Sequence, residues 1–202
     1  LYVNAKRLCL FETTEHVMTT SLYILTALFM MNATYIDPSI DFGNAANKVN
    51  DWVMISDNVM GGITKSKLDY TEQSMVLTGD ISLENYGGFS SVKTRFGSFN
   101  LSAYKGLKIR YKATNQRFAF TLEDSRNWTQ PNFKGDLPGS KSDVWSEATI
   151  YFKDFKEYQI GEPTGGKLDP NSLKGIVRLG IITTEKKEGP FSLEIDYVEF
   201  VR

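Results

Sequence analysis

Cysteine and histidine are nearly missing from this 202-residue chain, which has one of each, Cys9 and His16, both close to the N-terminus. The remainder therefore holds no internal disulfide, no thiolate or imidazole metal site, and no histidine base or triad. A chain without disulfides fits a reducing compartment such as the cytoplasm. Excess charge is missing too. Twenty-three Lys+Arg against 24 Asp+Glu leave a net charge of -1, so no basic field points to nucleic acid and no polybasic run to a membrane surface. One apolar run stands out, Leu22-Tyr23-Ile24-Leu25-Thr26-Ala27-Leu28-Phe29-Met30-Met31. It has signal-peptide length and is short for a bilayer span. With Met18 as the start, it implies export, although no Lys or Arg lies between Met18 and the run; otherwise it is a helix or strand that packs on or trails from the domain. Residues 34–39, with Pro38, form a linker, which divides the chain into an N-terminal extension or signal-like segment, residues 1–35, and one domain, residues 36–202.

That domain is rich in what one core needs: 41% hydrophobic and 13% aromatic residues across the chain. The apolar positions alternate. Met75, Leu77, Ile81 and Leu83 share a face opposite Thr78, Asp80, Ser82 and Glu84, with Gly79 marking a bulge or a close-packing point. The same period of two runs through Leu107-Ile109-Tyr111, Phe118-Phe120-Leu122, Ala148-Ile150-Phe152, Val177-Leu179-Ile181 and Phe191-Leu193-Ile195-Tyr197. After Tyr197 the phase slips to Val198 and Phe200, which predicts a bulge. No stretch keeps a helical period for three turns, so helices of a single turn are expected, for example over residues 169–173. Many short strands with one wet face predict an all-β protein, a two-sheet jelly-roll β-sandwich. Residues 124–143 and 158–170 read as long, glycine- and proline-bearing connections.

Two glycine-hinged stretches punctuate the strands: Asp57-Asn58-Val59-Met60-Gly61-Gly62 and Glu84-Asn85-Tyr86-Gly87-Gly88-Phe89-Ser90-Ser91. Each places a carboxylate and an amide ahead of a Gly-Gly pair, where the missing Cβ atoms permit positive φ and close backbone approach. Such corners present oxygens to a partner, or they are plain turns in which Asp57 and Asn58 satisfy backbone amides while Met60 and Phe89 join the core.

These same residues carry a resemblance. Trp52, the run from Ser56 to Thr64 and the run from Gly79 to Lys93 resemble the complex I intermediate-associated protein 30 family. Tyr104-Lys105-Gly106-Leu107, Trp145, Phe155 and the ending Gly189-Pro190-Phe191-Ser192-Leu193-Glu194-Ile195-Asp196 agree with it. The similarity covers residues 40 to 201. It implies a galactose-binding-domain-like jelly roll, akin to some carbohydrate-binding modules, and a chaperone-like role in assembling respiratory complex I, the role of the mitochondrial member. The chain departs from the family pattern at Tyr151-Phe152, where Pro-Phe is usual, and at Ile160-Gly161, where Arg-Gly is usual.

Three functions follow from these features. In the first, a non-catalytic binding or assembly domain meets a protein partner with Asp57, Asn58, Gly61, Gly62, Glu84, Asn85, Tyr86, Gly87, Gly88 and Phe89, and no cofactor is needed. An oxygen-only ligand set of this kind would suit Ca²⁺ over a transition metal, although no EF-hand spacing is present. In the second, a carbohydrate-binding module uses Trp128, Trp145, Tyr86 and Tyr158 as flat faces and Asn85, Asn127 and Gln130 as polar clamps. Trp52 and Trp145 otherwise belong to the core, whereas Trp128, in a polar connection, is the better ligand or protein contact. In the third, Asp57 and Glu84 form the carboxylate pair of a glycosidase. The first reading is preferred, the second is its alternative, and neither nucleic acid nor membrane association is indicated for residues 36–202.

Overall fold

A computed structural model describes residues 39–44, 52–139 and 143–202. The expected boundary near Tyr35, Cys9, His16 and the apolar run ahead of it lie outside the described residues. Within them, two antiparallel sheets stack face to face. The smaller sheet runs β3 (Lys65–Tyr70), β4 (Met75–Ile81), β13 (Gly189–Val201), β6 (Gly106–Thr114) and β9 (Ser146–Tyr151), with β1 (Ile40–Asp41) also paired to β13. The larger runs β11 (Glu162–Lys167), β10 (Lys156–Gln159), β8 (Asn132–Asp136), β7 (Phe118–Glu123), β12 (Arg178–Thr183), β5 (Ser90–Thr94) and β2 (Trp52–Ser56). The all-β two-sheet sandwich expected from the alternation is therefore present.

The core forms where the alternating apolar faces meet. Leu77, Leu107, Ile109, Leu193, Ile195 and Val198 of the smaller sheet and Phe120, Leu122 and Ile181 of the larger one are fully buried. Each such side chain contributes about 1.5–3 kcal/mol relative to exposure. Phe155 packs edge-on against Phe152, and Gly135 leaves room for it, since a Cβ there would come within 2.4 Å of the Phe155 ring. The phase slip in β13 is a bulge: Ile195 pairs with Tyr111 and Tyr197 with Arg110, which makes Asp196 the extra residue. Gly79 is the close-packing point and not a bulge. It keeps register with Ser66 and Phe191, and a Cβ on it would meet the Lys65 carbonyl oxygen at 2.3 Å. The helical turn expected over 169–173 is the short 3-10 segment Ser172–Gly175.

The two long connections need correction. Residues 124–143 contain β8, and residues 158–170 contain the end of β10 and all of β11, a hairpin joined by Ile160 and Gly161 at φ 49 and 85. These strands escaped notice because Asn132-Phe133-Lys134-Gly135-Asp136 carries little apolar alternation, and because edge strand β11 is exposed along its whole length. An edge strand is held by backbone pairing and need not bury a face. Trp52 is in the core at 6% exposure, as expected. Trp145 is not: it lies half-buried outside the core, with the Arg110 guanidinium 4.6 Å and the Lys112 ammonium 5.0 Å from its ring centre. Met60 does not join the core either; it is 62% exposed.

Candidate functional site

The chain passes between the sheets twice near one end of the sandwich. The β2–β3 connection carries it from the larger sheet to the smaller, and the β4–β5 connection brings it back. Each connection makes one 3-10 turn, Asp57–Met60 in the first and Glu84–Tyr86 in the second. The glycine-hinged stretches of the sequence are thus the two crossovers, and one side chain ties them together.

That side chain is Asp57, only 1% exposed. The Thr64 N–H donates to its Oδ1 at 3.0 Å. Its Oδ2 accepts the Thr64 hydroxyl at 2.5 Å, the Gly88 N–H at 2.6 Å and the Phe89 N–H at 3.3 Å. The Asp57 backbone joins in, its N–H reaching the Phe89 carbonyl at 3.2 Å. Burial works to raise the carboxyl pKa, but the hydrogen bonds from Gly88, Thr64 and Phe89 outweigh it and hold the group below its ordinary value. Asp57 is therefore an ionised clamp and is poorly suited to act as a general acid. Two glycines make room for it. A Cβ at Gly62 would fall 2.4 Å from the Asp57 Cγ, and one at Gly87 2.7 Å from Oδ2.

The other expected residues gather around this clamp. Asn58, with its amide oriented to satisfy the network, donates to the Gly62 carbonyl at 3.1 Å and the Thr64 carbonyl at 2.9 Å. The Asn85 amide donates to the Gly61 carbonyl at 3.2 Å and so links the crossovers a second time. Gly61 and Gly88 take φ values of 90 and 122. Glu84 is exposed and Phe89 half-buried. Sequence reasoning missed Thr64, which is fully buried; its hydroxyl serves Asp57 and also accepts the Ser82 N–H at 3.2 Å.

With the polar groups turned inward, the apolar ones face out. Val59 is 71% exposed, Ile63 47%, Leu83 39% and Tyr86 101%. Tyr86 and Asn85 hold left-handed backbones, φ 60 and 55. For a bulky aromatic residue that conformation costs of order 1–3 kcal/mol, and strain of this kind gathers at functional sites. A calcium ion here would have to displace the N–H and O–H donors from Asp57. Among the described residues, no group of three His, Cys, Asp or Glu side chains could hold a metal ion.

Trp128 is elsewhere. It follows Glu123, which pairs with Arg178, whereas the corner adjoins Ser90, whose N–H bonds the Thr183 hydroxyl at 3.0 Å. Arg178 and Thr183 are the two ends of β12, so Trp128 and the Asp57 corner lie at opposite ends of the larger sheet. Trp128 is 74% exposed, on a turn closed by the Gln130 N–H to the Asn127 carbonyl at 3.0 Å and by the Gln159 amide to the Thr129 carbonyl at 3.1 Å.

A family model described as Complex I intermediate-associated protein 30 matches residues 40–195. No curated protein matches the chain. Among solved structures, the chain is similar to the family 11 carbohydrate-binding module of a cellulosomal cellulase of Clostridium thermocellum. That match has 17% identity and a TM-score of 0.58 over 82% of this chain and 94% of that one. The same organism's family 11 module in complex with a β-1,3-1,4-mixed-linked tetrasaccharide matches at 17% identity and TM-score 0.57, over 78% and 92%. At that identity the likeness establishes the fold alone.

Proposed function

Because the chain belongs to the complex I intermediate-associated protein 30 family, we propose that it is a non-catalytic binding domain that assists assembly of a protein complex, respiratory complex I being the first candidate. The protein client docks on the Asp57 corner. One observation carries this reading: Val59, Met60, Ile63, Leu83 and Tyr86 stand exposed together on two crossovers pinned from beneath by a buried carboxylate. Clustered apolar exposure on a soluble surface marks an interaction site. Tyr86, held in a strained backbone, is the type of rigid aromatic anchor that dominates interface energetics.

The test is genetic and biochemical. Host cells lacking the protein should accumulate incomplete complex I on native gels; the full chain should restore assembly, and a Met60→Ser/Tyr86→Ala chain should not, while folding normally. Complex I assembly that is unaffected by loss of the protein would sink the respiratory role. Equal rescue by both chains would remove the corner from it.

A second reading, carbohydrate binding, is favoured by Trp128, an indole displayed on a hydrogen-bonded turn where no packing role explains it. It predicts saturable quenching of tryptophan fluorescence by a glycan, lost with Trp128→Ala. Full quenching in that variant would count against it.

A further inference from the structure

The outer face of the larger sheet carries a polar group that the corner does not use. Cross-strand register sets Lys134 opposite Thr121, Thr121 opposite Gly180, and Gly180 opposite Lys93. Directly opposed residues share a face, with Cβ atoms about 4.5–5.5 Å apart. The row therefore runs Lys134, Thr121, Gly180, Lys93 across four neighbouring strands. Thr121 is 3% exposed, yet its hydroxyl has no hydrogen-bond partner among the described residues. Leaving such a group unpaired costs about 1–3 kcal/mol.

Two lysines flank Thr121 along this row. The Lys93 side chain crosses Gly180 to reach the Glu123 carboxylate at 2.5 Å. The missing Gly180 side chain opens the way, because a Cβ there would lie 2.8 Å from the Lys93 Cγ and 2.6 Å from the Thr121 hydroxyl oxygen. From the other side comes Lys134. Its ammonium sits 4.2 Å from the Tyr158 ring centre and makes no ion pair among the described residues. The acids nearest in its field are committed elsewhere, Asp136 to Lys156 at 3.6 Å and Glu162 to Lys186 at 3.8 Å. Burial, and then the neighbouring Lys93 charge, hold the Lys134 pKa below its ordinary value. An anion placed between the lysines would relieve both effects.

We propose that this row is a binding site for a small anionic group, a carboxylate or a phosphate, which accepts hydrogen bonds from the Lys134 ammonium and, as the lysine side chains over the row part to admit it, from the Thr121 hydroxyl, with Lys93 held alongside by Glu123. The Thr121 hydroxyl is a donor with no acceptor of its own, and a half-buried ammonium without a counter-ion is a second one. Glu123 neutralises Lys93, and Lys134 keeps the site net positive. This site is independent of the Asp57 corner and of any client bound there.

The experiment is a titration of the full-length, isotope-labelled protein with inorganic phosphate and, separately, with glucuronate, followed by amide NMR with glucose as the neutral control. Saturable shifts at Thr121, Lys134 and Gly180 with either anion, and none with glucose, are expected. The tighter of the two anions then identifies the group recognised. Lys134→Met should weaken binding about tenfold, the loss of one charge-assisted hydrogen bond. Thr121→Val should weaken it severalfold while leaving the surface charge unchanged, and the dispersion of the spectrum reports folding in both variants. Absence of saturable shifts, shifts spread over the basic side chains generally, or equal affinity in Thr121→Val would overturn the proposal.

Discussion

Asp57 and Thr121 make an instructive pair. Both are polar side chains almost wholly removed from water, at 1% and 3% exposure, and both lie on or beside the larger sheet. Asp57 collects five donors from two crossovers, the Asn58 amide among them. Thr121 collects none among the described residues. A buried polar group with every lone pair engaged holds a fold together, and its neighbourhood is shaped to exclude anything else. One left unpaired lowers stability, and such a cost calls for an explanation: strain, an ordered water or a ligand. The proposed client contact therefore runs through the outer apolar rim of the corner, and the proposed anion contact through the unpaired group itself.

The largest test of this contrast is Asp57→Ala. It strands the Thr64, Gly88 and Phe89 amides and should cost about 3–5 kcal/mol, measured by urea denaturation. A loss below about 1 kcal/mol would mean that the crossovers do not depend on the clamp. Next, Gly62→Ala pushes a methyl into the same carboxylate and should cost about 1–3 kcal/mol. Acid should act in the same direction. The folded-state pKa of Asp57 is depressed, so its contribution is fully present above the unfolded-state value and is lost as pH falls through the folded one. The midpoint of thermal unfolding should therefore drop in acid more steeply for the unaltered chain than for Asp57→Asn; parallel curves would contradict the clamp. Tyr86→Gly should raise stability by about 1 kcal/mol by releasing the left-handed strain, yet abolish docking of the client. The smallest effect is expected on the sheet face. Thr121→Val replaces an unpaired hydroxyl by a methyl group of similar shape, so it should leave stability within about 0.5 kcal/mol or raise it. A clear loss would reveal a partner for that hydroxyl.

Much of this fold was legible in the residues. Period-two alternation located β4, β6, β7, β9, β12 and β13, and the slip after Tyr197 marked the bulge that the structure places at Asp196. Strands β8, β10 and β11 were not legible, because Gly135 serves the Phe155 ring and β11 is an exposed edge. Neither leaves an alternating apolar signal. The Gly-Gly corners stood out by composition, and Asp57 with them. Its direction did not. Whether a carboxylate faces a partner or a set of amides depends on where Gly88 and Phe89 come to lie, about thirty residues further along the chain. Trp145 was misplaced for a similar reason: a tryptophan before an alternating strand reads as core, and only the register shows the Arg110 and Lys112 side chains lying against its ring.

By itself, then, the sequence determined the all-β sandwich, the family and the two corners, because period-two burial and glycine chemistry are local properties of the chain. Only the tertiary structure decided that Asp57 points inward, that Trp128 stands at the far end of the sheet from it, and that Thr121 lies in a row between two lysines with no hydrogen-bond partner among the described residues. Those facts depend on strand register and on crossovers between sheets, which join residues distant in sequence and leave no periodic trace along it.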